Sequence, residues 1–93
     1  MNMDKQHRLI IPQFVRDTMN VEESEYYFVF RGGNDFCLQK SRNGRVIGKV
    51  KIDKKGRFYI PSSVVDVFEN RKVLIYADGK LNKVGISIYK EDA

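Results

Sequence analysis

The chain has one cysteine, one histidine, two prolines and no tryptophan in 93 residues. A lone thiol, Cys37, excludes an internal disulfide and any cysteine-built zinc site. It suits a reducing compartment. The single histidine, His7, has no acid and nucleophile arranged around it, and no metal-ligand spacing surrounds it. No glycine-rich phosphate loop is present either. The composition therefore reads as that of a protein that is not an enzyme and carries no cofactor. No apolar run approaches the roughly 20 residues of a membrane span. The opening Met1-Asn2-Met3-Asp4 turns polar at once, unlike a signal peptide. A cytoplasmic protein is the expectation. One domain is expected at this length. Halves of about 45 residues sit near the lower limit for folding alone, so they are expected to share one core.

What is present is a repetition. Asp4-Lys5-Gln6-His7-Arg8-Leu9-Ile10-Ile11-Pro12-Gln13-Phe14-Val15-Arg16-Asp17 returns as Asp53-Lys54-Lys55-Gly56-Arg57-Phe58-Tyr59-Ile60-Pro61-Ser62-Ser63-Val64-Val65-Asp66, 49 residues later, with seven identities in fourteen positions. Two copies are too few for a solenoid. They imply a pseudo-two-fold, one chain imitating a homodimer. The repeats are drawn as 1–40 and 46–90, with a linker at 41–45. The net charge of +5 is unevenly spread: residues 1–40 hold five Lys/Arg against six acids, whereas 41–93 hold twelve against six. From Lys40 to Arg57 there are eight bases and one acid, Asp53. Such a segment suits a polyanion partner.

Strand signals dominate. Tyr26-Tyr27-Phe28-Val29-Phe30 runs into the turn cluster Gly32-Gly33-Asn34, and Phe36-Cys37-Leu38 returns. Val73-Leu74-Ile75-Tyr76-Ala77 and Val84 to Tyr89 repeat that pattern through Asp78-Gly79-Lys80. Both first strands are apolar on both faces, as strands in a closed or interlocked barrel are. Asn43-Gly44 predicts a hairpin between the strand ending at Lys40 and the one starting at Arg45. In that next strand the alternation points Val46, Gly48, Val50 and Ile52 one way, and Arg45, Ile47, Lys49, Lys51 and Asp53 the other. Asp53-Lys54-Lys55-Gly56 is expected to close a tight hairpin, with Arg57-Phe58-Tyr59-Ile60 as the return strand. His7 stands where the second copy has Gly56, so the first turn is expected to differ in shape. Pro12 and Pro61 each open a helix of about two turns. The apolar stripes are expected to be Val64, Val67 and Phe68, and Val15, Thr18 and Met19. The fold class is mainly β with short helices.

The second copy, Val50-Lys51-Ile52-Asp53-Lys54-Lys55-Gly56-Arg57-Phe58-Tyr59-Ile60-Pro61 and its helix, resembles the AbrB/SpoVT swapped-hairpin family, with its Asp-x-x-Gly-Arg-x-x-x-Pro pattern. The tandem arrangement, with Asp-x-x-x-Arg in each copy (Asp4/Arg8 and Asp53/Arg57), is similar to that of the MraZ family. The resemblance covers nearly the whole chain. It implies a swapped-hairpin β-barrel, in which the opening hairpin of one half inserts between strands of the other. It also implies a bacterial, nucleoid-associated transcription regulator binding double-stranded DNA through basic residues on and near that hairpin. The family usually places Leu-Arg in the helix after the proline; here Arg16 follows Val15 in the first copy, and Val65 stands at that place in the second.

Arg8 and Arg57 are the first candidates for DNA contact, because a planar guanidinium grips phosphate or the O6/N7 edge of guanine bidentately. The competing role for each is pairing with the Asp four residues earlier to pin the turn. Lys5, Lys49, Lys51, Lys54 and Lys55 are candidates for phosphate contact, since a flexible ammonium positions without specifying. The rival reading is an antitoxin-like or homo-oligomer-forming protein-interaction module without DNA binding.

Overall fold

The structure is a computed structural model that describes residues 1–89. Lys90, the assigned end of the second repeat, lies outside the described residues. The elements run β1 (Arg8–Ile10), α1 (Gln13–Thr18), β2 (Glu25–Gly32), β3 (Asp35–Gln39), β4 (Arg45–Lys51), β5 (Arg57–Tyr59), a 3₁₀ turn (Ser62–Val64) leading into α2 (Val65–Phe68), β6 (Lys72–Asp78) and β7 (Lys83–Tyr89). The chain is thus mainly β with short helices. Among the described residues no helix is long and apolar enough to cross a membrane.

Two antiparallel sheets form, and both are built across the repeat boundary. β1 pairs with β5 as a two-stranded ribbon, and the other sheet has the order β4-β2-β3-β7-β6. At its centre β3 of the first repeat meets β7 of the second, with Phe36 opposite Ile86. β4 opens the second repeat yet lies along β2 of the first. The reciprocal contact is shorter. Asn2 bridges Lys72, the Val73 N–H donates to the Met1 carbonyl at 2.7 Å, and the N-terminal ammonium donates to the Val73 carbonyl at 3.0 Å. Neither sheet closes on itself. The barrel expected from the family resemblance resolves into an open five-stranded sheet with a separate ribbon, whose inward Leu9 and Phe58 join the same core.

Five sequence expectations need correction. Asn43-Gly44 is not a hairpin turn, because β3 and β4 are not neighbours; β2 lies between them. The connection crosses the sheet face carrying Val29 and Gln39. The Gln39 amide donates to the carbonyls of Ser41 at 3.0 Å and Asn43 at 2.5 Å, and a Cβ on Gly44 would stand 3.3 Å from Val29 Cγ1. Second, the alternation along β4 breaks at a bulge. Phe28 faces Gly48 and Val29 faces Val46, so Ile47 is the extra residue. It packs on the core that alternation had assigned to Val46. Third, the second helix buries Val65 and Phe68 and leaves Val67 exposed, because a 3₁₀ turn shifts the helical phase. In α1, likewise, Val15 is buried and Thr18 exposed. Fourth, β6 is not covered on both faces, since Leu74 remains 43% exposed. Fifth, the Asp53–Gly56 turn does not close a hairpin: β4 pairs with β2, and β5 turns away to pair with β1 of the other repeat.

One hydrophobic cluster draws on both repeats, from Leu9, Ile11 and Val15 to Val84, Ile86 and Ile88. Its centre is aromatic. The Phe28 ring lies 5.2 Å from Phe36, 6.4 Å from Phe58 and 6.0 Å from Phe68, centroid to centroid. Phe28 is fully buried and ties β2 to an element on each side of the repeat boundary. Phe28→Ala is expected to cost about 3–5 kcal/mol in a chemical denaturation series, and to lose both repeats in one transition. Two separated transitions would contradict a shared core.

Candidate nucleic-acid interface

The two Asp-x-x-x-Arg segments form the same turn. Asp4 Oδ1 accepts from the N–H groups of Gln6 and Arg8, both at 2.9 Å, and Asp53 Oδ1 accepts from Lys55 and Arg57, both at 2.9 Å. Arg8 Nε donates to Asp4 Oδ2 at 2.9 Å, and Arg57 Nε to Asp53 Oδ2 at 2.8 Å. The backbone bonds that close each loop also match: His7 N–H to the Asp4 carbonyl at 3.0 Å, Gly56 N–H to the Asp53 carbonyl at 2.9 Å. The first turn therefore keeps the shape of the second, against expectation. His7 takes the left-handed backbone itself, with φ 63°, where Gly56 has φ 81°.

The glycine is needed for a local reason. Arg16 lies across the second turn, donating from Nε to the Ile11 carbonyl at 3.0 Å and from Nη1 to the Lys54 carbonyl at 3.4 Å. A Cβ at Gly56 would stand 2.7 Å from Arg16 Cδ and 2.9 Å from the Ile11 carbonyl oxygen. In the other half the position of Arg16 is held by Val65, whose short side chain makes no such reach, and a β-carbon is accommodated at His7. Gly56→Ala is expected to destabilise the protein by about 1–2 kcal/mol. His7→Gly is expected to leave stability unchanged or raise it by up to about 1 kcal/mol. Thermal unfolding of the pair checks both, and equal effects would contradict this account of the asymmetry.

Between the turns runs the ribbon. Its register is Arg8 opposite Tyr59, Leu9 opposite Phe58 and Ile10 opposite Arg57. Each end is locked by a reciprocal bond: Ile11 N–H to the Gly56 carbonyl at 2.9 Å and Ile60 N–H to the His7 carbonyl at 2.8 Å. Alternation sends Leu9 and Phe58 inward and leaves Arg8, Ile10, Arg57 and Tyr59 outward. Both arginines line one depression of about 430 Å³, together with Lys51, Glu23, Asp53, Phe58 and Tyr59. Their hydrogen bonds to described residues run through Nε, which leaves the two Nη groups of each for a ligand.

Lys5, Lys54 and Lys55 are exposed on the turns at the two ends of the ribbon, and Lys51 reaches the depression from β4. Lys49 precedes Lys51 by two residues on β4 and stands 5.6 Å over the Tyr27 ring. Sequence reasoning missed the exposed Ile10 and Tyr59 between the arginines, although the alternation Arg8-Leu9-Ile10 already put Arg8 and Ile10 on one face. It also missed Arg16 as the brace of the second turn. Cys37 is buried on the opposite face of the larger sheet, and burial pushes its thiol up.

At Asp53 the Arg57 backbone N–H, helped by its guanidinium and the Lys55 N–H, outweighs burial and holds the carboxyl below its ordinary value. At Asp4 burial raises the carboxyl, but the N–H and guanidinium of Arg8 and the N–H of Gln6 together lower it further. A depressed folded-state pKa contributes stability above the unfolded value, near 3.8, that is lost as pH falls through the folded value. Melting temperature is therefore expected to drop below about pH 4 and to do so less steeply in Asp4→Asn/Asp53→Asn. Parallel pH profiles would show that the clamps add nothing.

No protein-family model matches the chain, and no curated protein or solved structure is detectably similar to it.

Proposed function

We propose that this chain is a transcription regulator that lays the β1/β5 ribbon and its two turns on duplex DNA, in a swapped-hairpin arrangement whose halves both come from one chain. The carrying observation is the duplicated clamp. An aspartate fixes each arginine through Nε at corresponding places on one surface, with lysines at both ends. Holding a guanidinium by one edge lowers the entropy lost when its other nitrogens bind phosphate or guanine. The exchange of opening strands between repeats supports the swapped-hairpin reading. The strict Asp–Arg pairing does not oppose it, since the ion pair orients the group that would make the contact. Lys49, over the Tyr27 ring on β4, is a further candidate for phosphate contact beside Lys51.

If Lys5, Lys51, Lys54, Lys55 and one arginine neutralise about five phosphates, log K against log salt has a slope near −4.5. Arg57→Ala is expected to weaken binding by about 1–3 kcal/mol. Charge reversal at Lys54 and Lys55 is expected to cost more than reversal at Lys5. A fluorescence anisotropy titration reads all three, and a slope near zero would reject the proposal. The second reading, a protein-interaction or oligomer-forming module, draws on Phe14, which is 76% exposed. A sharply defined oligomer with no affinity for duplex DNA would favour it.

A further inference from the structure

We infer that the outward face of the ribbon reads two unequal half-sites, with Ile10 beside Arg57 contacting a thymine methyl and Tyr59 beside Arg8 supplying a polar contact instead. This rests on the DNA-binding reading above. Ile10 and Tyr59 occupy the same place in the two repeats. The ribbon register sets each opposite the other repeat's arginine. Both are large side chains left in water, Ile10 47% and Tyr59 62% exposed, between the two arginines of a basic surface. Their strand neighbours Leu9 and Phe58 are 1% exposed, so the ribbon is firmly seated and its outward pattern is fixed.

A two-stranded ribbon fits the major groove, where guanine offers O6 and N7 and thymine offers its C5 methyl. Arg8 and Arg57 suit the first. Ile10 has no donor or acceptor, so among base edges it gains most from the methyl. Tyr59 carries a hydroxyl, and its ring lies 6.0 Å from the Arg8 guanidinium carbon, which makes the two a joint contact. Ile10 gives Arg57 no such partner. The turns differ as well, since Lys5-Gln6 in the first corresponds to Lys54-Lys55 in the second. A homodimer is bound by its symmetry to a pseudo-palindrome. A chain that carries both halves is free of that constraint, and here the two halves keep the outward arginine but differ at Ile10 and Tyr59.

The test is selection of bound duplexes from a random-sequence DNA pool, followed by replacement of each thymine in the winning duplex by uracil. The expected site has unequal halves. Removing one particular methyl weakens binding about fourfold, and Ile10→Ala abolishes that thymine–uracil difference. Tyr59→Phe is expected to weaken binding while leaving the difference in place. A perfect palindrome, or a thymine–uracil ratio untouched by Ile10→Ala, would overturn the inference and leave DNA binding standing. Recovery of no duplex at all would overturn both. Both side chains are exposed, so the variants keep the fold.

Discussion

Two strands of three residues each hold the repeats together at the proposed working surface. A ribbon that short is not stable by itself. It persists because Leu9 and Phe58, paired at its centre, are buried in the shared core, and because its ends are tied by the reciprocal Ile11–Gly56 and Ile60–His7 bonds. From that pairing the rest follows. The two clamped turns are fixed at opposite ends, and the alternation of a strand puts both arginines on one outward face. Neither repeat could present that face alone, since each contributes only one edge of the ribbon.

The two repeats differ in detail within the shared framework. The second turn uses Gly56 under the brace of Arg16, while the first tolerates His7 in a left-handed conformation opposite Val65. The edges of the larger sheet have diverged as well. β4 covers β2 over six residue pairs, with a bulge at Ile47, whereas Met1 and Asn2 cover only the start of β6. A bulge and flanking Lys49 and Lys51 also discourage another strand from adding to β4.

Much of this was legible in the residues. The repeat offset located both turns, the ribbon strands and both proline-opened helices. Asp and Arg four apart announced the clamps, whereas the outward face of the ribbon was missed, although the alternation Arg8-Leu9-Ile10 carries it. Strand order was not legible, because Asn43-Gly44 is a local turn signal whereas the partner of β4 is decided by which edge of the assembled sheet it can reach. Ile47 was assigned to the wrong face because a bulge adds one residue without any mark in the sequence. Val65 and Val67 exchanged roles because the helix begins as a tighter 3₁₀ turn. The equivalence of the two turns was hidden by His7, since its positive φ is set by the surrounding hydrogen bonds and not by residue type.

The most direct test of the central claim is a solution NMR titration of ¹⁵N-labelled protein with a short DNA duplex. Amide shifts are predicted to concentrate in Lys5 to Ile11 and Lys54 to Ile60, with Leu74, Ser87 and Tyr89 on the far face of the large sheet unmoved. Shifts confined to that far face, with the ribbon silent, would contradict it.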